Sequence, residues 1–598
     1  MTHSAGLSFD VFEKALNKAK SQQKLLWLFL APQSESLAWE WGRKIPAFLS
    51  SQNLEQRFLF LSLDSYQNRE LDQSAQYLMQ TLKLAPGWPV NLIISPESKL
   101  AVVGFHMMEE KSMEDFFKML SIELFSDSSK LERFALESTK LARQNDPLSI
   151  LSPVKLPEKN SDFKSLPVLN SFYHTPIVQS LDAETGLLGK PGNYFLVPHI
   201  YLALFSSDRE DLKTLAQSTL TQLCRSSYHD VLQSVFWNPA IKDRLSADLL
   251  DQCVLLEALT RIAAESGNAY LKDVAVELIS SITELFLRST PNAKLKVLRT
   301  FESEKSHYEF STQDLLTHLT APERNLAQKF FSLTSVPNLP TLKRSLIELA
   351  KELGQESQDL KLALHGIQFK LLKLRNERVF NSERFFEKEL QELGDDQQKL
   401  SDRSQAIWKL QIFSAINMAC DLLDLPHPIN PHYEILKSEI EILLKQTEHR
   451  FLQPREKFLS LRAELEFLQS SSRFSIGAIA KDFAERLIKA SFYDCSYECG
   501  FLEFRYDAVD HFEPSALALE YALFTRALEI PQIASYLSRE LRYSSMEGFE
   551  WLEKFRGLGV HLAGFVGHFS QFQKALKAIH PNVGESVDSW SRLNTRDT

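Results

Sequence analysis

The sequence predicts a small α/β domain followed by a larger all-α domain. Residues 9–123 alternate short apolar runs with amphipathic stretches. Beyond residue 170, strand signals almost vanish and helical stretches recur in pairs. The 598 residues exceed the size of one ordinary domain, and a hydrophobic content of 44% is enough to fill large cores.

Hydrophobic periodicity predicts each element of the first domain in turn. The opening residues form an amphipathic helix, with Phe9, Phe12, Leu16 and Ala19 on one face. After it come a strand (25–30), a helix (about 36–50), a strand (58–64), a helix (about 68–83), a hairpin (90–104) and a closing helix (about 112–124). This β-α-β then β-β-α order predicts a thioredoxin-like domain, a small central sheet with helices on both sides.

A proline-rich segment separates the two domains. Residues 144–170 hold four prolines and little periodicity, which is typical of a linker, so we expect domains at 1–143 and 171–598. Helical pairs in the second domain are about 194–206 with 210–224, 247–265 with 269–288, 404–423 with 433–448, 457–470 with 475–491, and 514–527 with 530–541. Repeated helical hairpins fit a closed α/α-toroid or an open solenoid, and the lack of a fixed repeat consensus favours the toroid.

Composition and charge argue against several kinds of partner. The net charge of −10 and the pI near 5.9 disfavour a nucleic-acid or anionic-membrane surface, because phosphate binding needs a basic field. No apolar run approaches the roughly 18 residues of a membrane span, and the start lacks a signal-peptide pattern. We expect a cytoplasmic protein with no nucleic-acid partner and no membrane partner.

Motifs for cofactors and metals are scarce. The chain has only 19 glycines, and neither GxGxxG nor GxxxxGKS/T is present, so we expect no cofactor. Five cysteines agree with a reducing compartment, and none falls in the first 223 residues. Cys495 and Cys499 are four residues apart without nearby histidine or cysteine partners. We interpret them as small core residues and expect no metal site.

The segment LAPGWPVNLIISPESKLAVVG (84–104) carries a resemblance to a known family. A Gly-Trp-Pro sequence before a buried strand, followed by Ser-Pro and a hairpin, resembles the thioredoxin-domain family typified by spermatogenesis-associated protein 20 and bacterial YyaL-like proteins. The resemblance covers nearly the whole chain. It implies a thioredoxin-like domain joined to an α/α-toroid similar in shape to sugar epimerases and six-hairpin glycosidases.

Positions that match the family are spread over both domains. They are Asp64, Asp72, Gly87, Trp88, Pro89, Pro96 and Gly104 in the first, and Asp182, Gly186, Gly189, Asp251, Gln252, Glu302, Ser303, Glu304, Asp402, Trp408, Pro514 and Ser515 in the second. The resemblance implies that Pro89 forms a cis peptide bond that faces the active-site loop of the first domain. The alternative is a structural proline at the start of an edge strand.

The reactive residues of the family are missing. The family's first strand is followed by Cys-His-x-Cys-His, and these positions are occupied here by Glu35, Ser36, Leu37, Ala38 and Trp39. Dithiol exchange needs two thiols about four residues apart at a helix start, so Glu35 and Ala38 exclude it. Further departures from the family are Leu187, Lys190, Lys409, Ala516 and Leu517.

Tryptophans gather in sequence around this vacant motif. Trp39, Trp41 and Trp88 would form an apolar recognition patch if they meet there, with Pro89 beside them. The alternative is core filling, which we expect for Trp27 within the first strand.

A sugar-processing site in the toroid would need carboxylates or histidines that converge at its mouth. The match to family motifs makes Asp251, Glu302, Glu304 and Asp402 candidate catalytic residues. Further candidates are Asp182, His307 and His511, with Trp408, Tyr194 and Tyr308 as stacking faces for a ligand. The alternative is that these carboxylates are solvated groups or helix caps. A mouth filled by Leu187, Leu188 or Phe195 would argue against a site.

These observations favour a non-redox protein that binds a partner protein or a small carbohydrate-like ligand. The alternative is a carbohydrate-active enzyme, similar to sugar epimerases, with acid/base chemistry in the toroid mouth. Thiol-disulfide exchange is excluded in the first domain by its lack of cysteine.

Overall fold

A computed structural model shows a mostly helical chain with a small mixed sheet near its N-terminus. The structure describes residues 7–32, 36–65, 67–81, 84, 87–124, 128–145, 174–190, 193–239, 244–290, 294–333, 338–342, 346–380, 395–445, 454–470, 476–489, 496–499, 502–506, 516–531, 533–537 and 563–579. The predicted linker therefore lies outside the described residues, except for its first two positions.

A four-stranded sheet forms the centre of the N-terminal region. Its strands are β1 (Leu25–Ala31), β2 (Phe58–Asp64), β3 (Val90–Ile94) and β4 (Ala101–Phe105), in the order β2-β1-β3-β4. β1 runs parallel to β2 and antiparallel to β3, and β3 pairs antiparallel with β4. Every residue of β1 is buried, because helices cover both faces of the sheet.

Two apolar clusters join the sheet to its helices. The helices are α1 (Leu7–Ser21), α2 (Ser36–Ser51), α3 (Arg69–Thr81), α4 (Glu110–Leu124) and α5 (Ser128–Asn145). On one face, Leu16 and Leu71 of α1 and α3 belong to the same cluster as Leu28 of β1. On the other, Phe48 and Phe117 of α2 and α4 pack with Trp27. The elements predicted before residue 125 are confirmed, and α5 is an addition.

Six helices of the second region contact one another in a closed cycle. They are α7 (His199–Phe205), α9 (Leu249–Ser266), α16 (Asp395–Leu422), α18 (Pro454–Ser470), α20 (Ala516–Leu528) and α21 (Ala563–Ile579). Each contacts the next in this order, and α21 returns to α7. We call this arrangement the ring.

A second set of helices pairs with ring helices. These are α8 (Glu210–Arg225) beside α7, α10 (Ala269–Ser281) beside α9, α17 (Pro431–Lys445) beside α16 and α19 (Ile476–Lys489) beside α18. Four of the five predicted helical pairs are therefore confirmed as neighbours, whereas part of the fifth, 514–527 with 530–541, lies outside the described residues. Asp248 is the N-cap residue of α9, because its carboxylate accepts hydrogen bonds from the backbone N–H groups of Leu250 and Asp251.

A helical insertion lies between α10 and α16, where the sequence predicted no paired helices. It comprises α11 (Lys305–Tyr308), α12 (Thr312–His318), α13 (Ala321–Phe330), α14 (Leu346–Leu353) and α15 (Ser357–Phe380). The insertion has its own apolar cluster, which includes Phe310, Leu315, Leu349 and Leu364. The same cluster includes Val231 and Leu232, so the insertion packs against the segment that follows α8.

Short strands in the second region correct the expectation that strands are absent there. They form two-stranded pairs: β5 (Leu188–Lys190) with β6 (Asn193–Phe195), β7 (His229–Asp230) with β8 (Val235–Phe236), β9 (Arg244–Asp248) with β12 (Thr300–Glu304), β10 (Leu287–Ser289) with β11 (Leu295–Val297), and β13 (Ser496–Cys499) with β14 (Leu502–Tyr506). Strands this short contain too few residues to show a period of two.

The remaining described elements are α6 (Thr175–Ser180) and a π-helical turn at Ile282–Phe286. Among the described residues, no helix is both long enough and apolar enough to cross a membrane.

Candidate functional site

The Gly-Trp-Pro segment lies directly before β3. The Trp88–Pro89 peptide bond is cis, as predicted, and the Pro89 carbonyl accepts a hydrogen bond from His106 Nδ1 at 3.0 Å. Glu35 and the side chains of Ser36 and Leu37 lie outside the described residues, whereas Ala38 is buried.

The three candidate tryptophans are each half-buried and held by internal contacts. Trp39 and Trp41 pack against Phe29, with ring centroids 6.0 and 6.2 Å away. The Trp41 indole donates to the Met108 carbonyl, and the Trp88 indole donates to Asp72 Oδ1, both at 3.0 Å. The indole N–H groups of Trp41 and Trp88 are therefore already bonded within the domain, and the predicted recognition patch stays a prediction.

Asp72 connects the loop after β2 to the segment that precedes β3. Its Oδ1 accepts hydrogen bonds from the Ser65 hydroxyl at 2.8 Å and from the Trp88 indole. Burial raises the pKa of Asp72 to about 7, with a smaller rise from the nearby Asp64 charge, despite the hydrogen bonds that lower it. This buried carboxyl therefore holds the two segments together and titrates near neutral pH.

A polar cavity lies inside the ring, and we call it the axial cavity. All six ring helices line it, through His199, Cys253, Val254, Glu257, Gln411, Ser414, Ala415, Leu459, Arg462, Leu519 and His568. Because every ring helix contributes, the cavity lies on the ring axis. Its volume is about 20 Å³, which is room for about one water molecule.

Three buried polar atoms around the axial cavity have no hydrogen-bond partner within the described part of the chain. They are Gln411 Oε1, Arg462 Nε and His568 Nδ1, and these side chains are at most 7% exposed. Buried polar atoms are nearly always hydrogen bonded, so three unpaired ones around a single cavity are unusual. Their chemistry is mixed, with an amide acceptor, a guanidinium donor and an imidazole nitrogen.

Glu257 is the central charge of the cavity wall. Its Oε2 accepts from Arg462 at 2.8 Å and its Oε1 accepts from Arg261 at 3.1 Å. Burial alone would raise the pKa of Glu257, but the positive charges of Arg462 and Arg261 outweigh it and hold that pKa well below its usual value. Glu257 is therefore ionised at neutral pH.

His568 and Cys253, two further titratable groups in the wall, are neutral. Burial lowers the pKa of His568 to about 3, although Glu257 lies 3.9 Å from its Nδ1. His199 stands beside it, with the two ring centroids 6.1 Å apart. Burial also raises the pKa of Cys253 to about 12, so this thiol carries no charge.

An ion-pair network continues from Glu257 along the ring interior. Arg261 also donates to Glu529 at 2.8 Å. Arg526 in turn contacts Glu529, Glu466 and Asp421 at 2.9, 2.8 and 2.6 Å. These pairs join the C-terminal halves of α9, α16, α18 and α20, so these helices run in the same direction.

The carboxylates predicted for the toroid mouth do not line the axial cavity. Asp251 is half-buried near the start of α9, Asp402 is exposed on α16, and Glu304 is exposed beside His307. The side chain of Glu302 and all of His511 lie outside the described residues.

The aromatic and apolar residues considered at the mouth are mostly core residues. Trp408 is 8% exposed within the main core, and Tyr308 is also buried. Leu187 and Leu188 are buried in the core as well, and neither lines the axial cavity, whereas the Phe195 side chain lies outside the described residues. Tyr194 donates to Asp182 at 2.8 Å, within a loop that this aspartate organises.

The sequence did contain a signal for the cavity residues. Glu257 interrupts the apolar run CVLLEALTRI, and His568 interrupts AGFVGHFSQF. A charged or polar residue inside an otherwise apolar helix is unusual and marks a polar contact in the core. Neither residue belongs to a recognisable short motif.

Comparison with known proteins adds no family. No protein-family model matches the chain, and no curated protein matches it. Among the described residues, no group of three histidines, cysteines or carboxylates is placed to hold a metal ion. The resemblance stated from the Gly-Trp-Pro segment stays a prediction.

Proposed function

We propose that the chain is a non-redox protein that binds a small polar ligand in the axial cavity. A thioredoxin-like domain without reactive thiols would be joined to an α/α-toroid that holds the ligand. The observation that carries this proposal is the set of unpaired polar atoms of Gln411, Arg462 and His568 around one cavity lined by all six ring helices.

The strand order supports the thioredoxin-like assignment of the first domain. An order of β2-β1-β3-β4, with β1 and β2 parallel and the last two strands antiparallel, follows from the β-α-β then β-β-α plan. Pro89 precedes β3 beside the position that a dithiol motif would occupy. The first 223 residues contain no cysteine, so binding is the role left to this domain.

The closed contact cycle supports the toroid assignment. An open solenoid leaves its first and last repeats apart, whereas α21 here packs against α7. Ring helices with a shared direction and a second set of helices beside four of them fit an α/α-toroid.

The electrostatics of the cavity favour a neutral ligand rather than an ion. The charge of Glu257 is matched by Arg462, and the further arginines Arg261 and Arg526 are paired with Glu529 and Glu466. The unpaired atoms include both donors and acceptors, which a hydroxyl group satisfies because it does both. A small carbohydrate or polyol has this chemistry, and its binding requires the ring helices to move apart, because the cavity of about 20 Å³ holds about one water molecule.

Calorimetric titration with neutral aldoses, polyols and sugar acids tests this proposal, with thermal shift as a second readout. Gln411→Leu should weaken binding of a neutral ligand by about 10-fold or more, because it removes one polar contact from a buried site. Ser438→Ala, an exposed position on α17, should leave binding unchanged. If Gln411→Leu and Ser438→Ala bound the ligand with equal affinity, the axial cavity would not be the binding site. Tighter binding of charged ligands than of neutral ones would also contradict the proposal.

A second candidate function is acid/base chemistry on such a ligand, as in a sugar epimerase. His568 would serve as the base only if ligand binding raised its pKa from about 3, and ionised Glu257, 3.9 Å away, would stabilise the imidazolium that results. Incubation with aldoses in D₂O should then place deuterium on a ligand carbon. His568→Asn should abolish that exchange while binding persists. If the unmodified protein bound the ligand but catalysed no deuterium exchange, the enzyme role would be rejected and only the binding role would remain.

A further inference from the structure

The outer edge of β2 is an open strand edge. In the ladder with β1, Leu25 N–H donates to the Arg57 carbonyl at 2.8 Å, and Ser65 N–H donates to the Ala31 carbonyl at 3.1 Å. Since a strand alternates the direction of its peptide groups, odd-numbered residues of β2 face β1. The peptide groups of Phe60 and Ser62 point away from the sheet, and no described residue bonds to them.

Within the described part of the chain, the β2 edge has none of the usual protection of an edge strand. The strand FLFLSLD contains no proline, no lysine and no charge before its last residue, and residues 59–62 are half-exposed. Natural proteins usually cover such an edge or interrupt it, because it is a template for pairing with another strand. The opposite edge of the same sheet, β4, is covered by α5.

We propose that β2 pairs with β2 of a second copy of this chain, antiparallel across a two-fold axis at Leu61. Phe60 would then exchange two backbone hydrogen bonds with Ser62 of the partner subunit, and Ser62 would exchange two with Phe60 of the partner subunit. The two four-stranded sheets become one sheet of eight strands.

The side chains of β2 are complementary to themselves in this register. Leu61 lies opposite Leu61 of the partner subunit, and Leu59 lies opposite Leu63 of the partner subunit. Asp64 lies opposite Phe58 of the partner subunit, so no like charges face each other. Leu59 and Leu61 are partly buried against the cluster beneath the sheet, which orders them for such a contact.

Cysteine cross-linking tests the register in the full chain. Leu61→Cys places two cysteines in a non-hydrogen-bonded antiparallel pair, with Cα atoms about 4.5 Å apart, within the disulfide range. We expect mild oxidation to give a covalent dimer. Leu59→Cys is the matched control, since its two copies lie four residues out of register, about 13 Å apart. Mixing Leu59→Cys with Leu63→Cys should restore linking, and the unmodified chain gives the background from native cysteines.

Ser62→Pro tests the hydrogen bonds without changing the ladder to β1. It removes only an outward-pointing N–H, so the sheet should keep its internal bonds. Sedimentation should show that the dimer dissociation constant rises at least about 10-fold, whereas Ser62→Ala changes it less than about 3-fold. A monomeric unmodified chain would overturn the proposal. Equal linking of Leu61→Cys and Leu59→Cys would overturn it too, independently of any ligand in the axial cavity.

Discussion

Asp72 is a single buried carboxyl that fixes two loops of the first domain to α3. It receives the Ser65 hydroxyl from the loop after β2 and the Trp88 indole from the loop before β3. Gln76, one turn further along α3, bonds to both backbone groups of Gly87, which reinforces the same junction. The two loops therefore depend on α3 for their relative position.

The raised pKa of Asp72 predicts a pH dependence of stability. The carboxyl has a pKa near 7 in the folded chain and near 3.8 when unfolded, so the folded chain binds the extra proton between these values. Its contribution to the free energy of unfolding is then largest below about pH 4 and is lost as the pH rises to 7. Asp72→Asn should raise stability at pH 8 by up to about 4 kcal/mol and by much less at pH 5.

Urea unfolding at both pH values, followed by tryptophan fluorescence, measures this difference. Asp115→Asn on α4, an exposed carboxylate, is the control and should change stability little at either pH. If Asp72→Asn destabilises the domain equally at both pH values, the carboxyl is ionised in the folded chain and the predicted pKa is wrong.

Residues with a signal in the neighbouring sequence could be predicted, whereas residues that come together only in the folded chain could not. The resemblance of the short Gly-Trp-Pro segment to a known family implies that Pro89 is cis, and the structure agrees. His568 and Glu257 lie 311 positions apart in the chain and meet only because the ring closes. No local pattern states that two helix faces will share one cavity.

At the scale of elements, the packing of α2 on β1 depends on a single glycine. A Cβ added at Gly42 would lie 2.5 Å from the Phe29 ring, which Trp39 and Trp41 also contact. The close approach requires a residue without a side chain, although glycine weakens a helix interior by about 1 kcal/mol.

Gly42→Ala should therefore destabilise the first domain despite the better helix propensity of alanine. We expect a loss of about 1–3 kcal/mol, because the Phe29 ring is fully buried and can move only by displacing its neighbours. Gly366→Ala on α15 is the matched control, since nothing lies within 4 Å of its added Cβ, and it should stabilise by about 0.5–1 kcal/mol. Chemical denaturation measures the free energy of unfolding of both variants. If Gly42→Ala and Gly366→Ala changed it in the same direction, the close contact at Gly42 would be refuted.

Elements were predictable where their periodicity was long enough. The strands and helices before residue 125 and four helical pairs after it were recognisable, because each carries several repeats of its period. The insertion of α11–α15 was missed: α15, its longest helix, is apolar on more than one face, with Leu362 and Phe369 exposed and Leu364 and Leu371 buried. An amphipathic pattern cannot be recognised in such a helix.

For the whole molecule, ring closure brings buried charges together that are far apart in sequence. Arg526 is 1% exposed and pairs with Glu466 on α18, Glu529 after α20 and Asp421 on α16. Removal of one partner from a buried network leaves the other charges unpaired in a medium of low dielectric constant, which is more costly than the loss of a surface pair.

Arg526→Met should therefore destabilise the helical region by about 3–5 kcal/mol. Arg209→Ala breaks an exposed pair with Asp211 and should change stability little, because solvent screens the pair. Guanidinium unfolding followed by far-ultraviolet circular dichroism measures both, and the helical region should unfold separately from the tryptophan-rich sheet domain. Because Arg526 connects three ring helices, its loss should also speed hydrogen exchange in α16, α18 and α20. A stability loss in Arg526→Met no larger than that in Arg209→Ala would show that closure of the ring does not depend on this network.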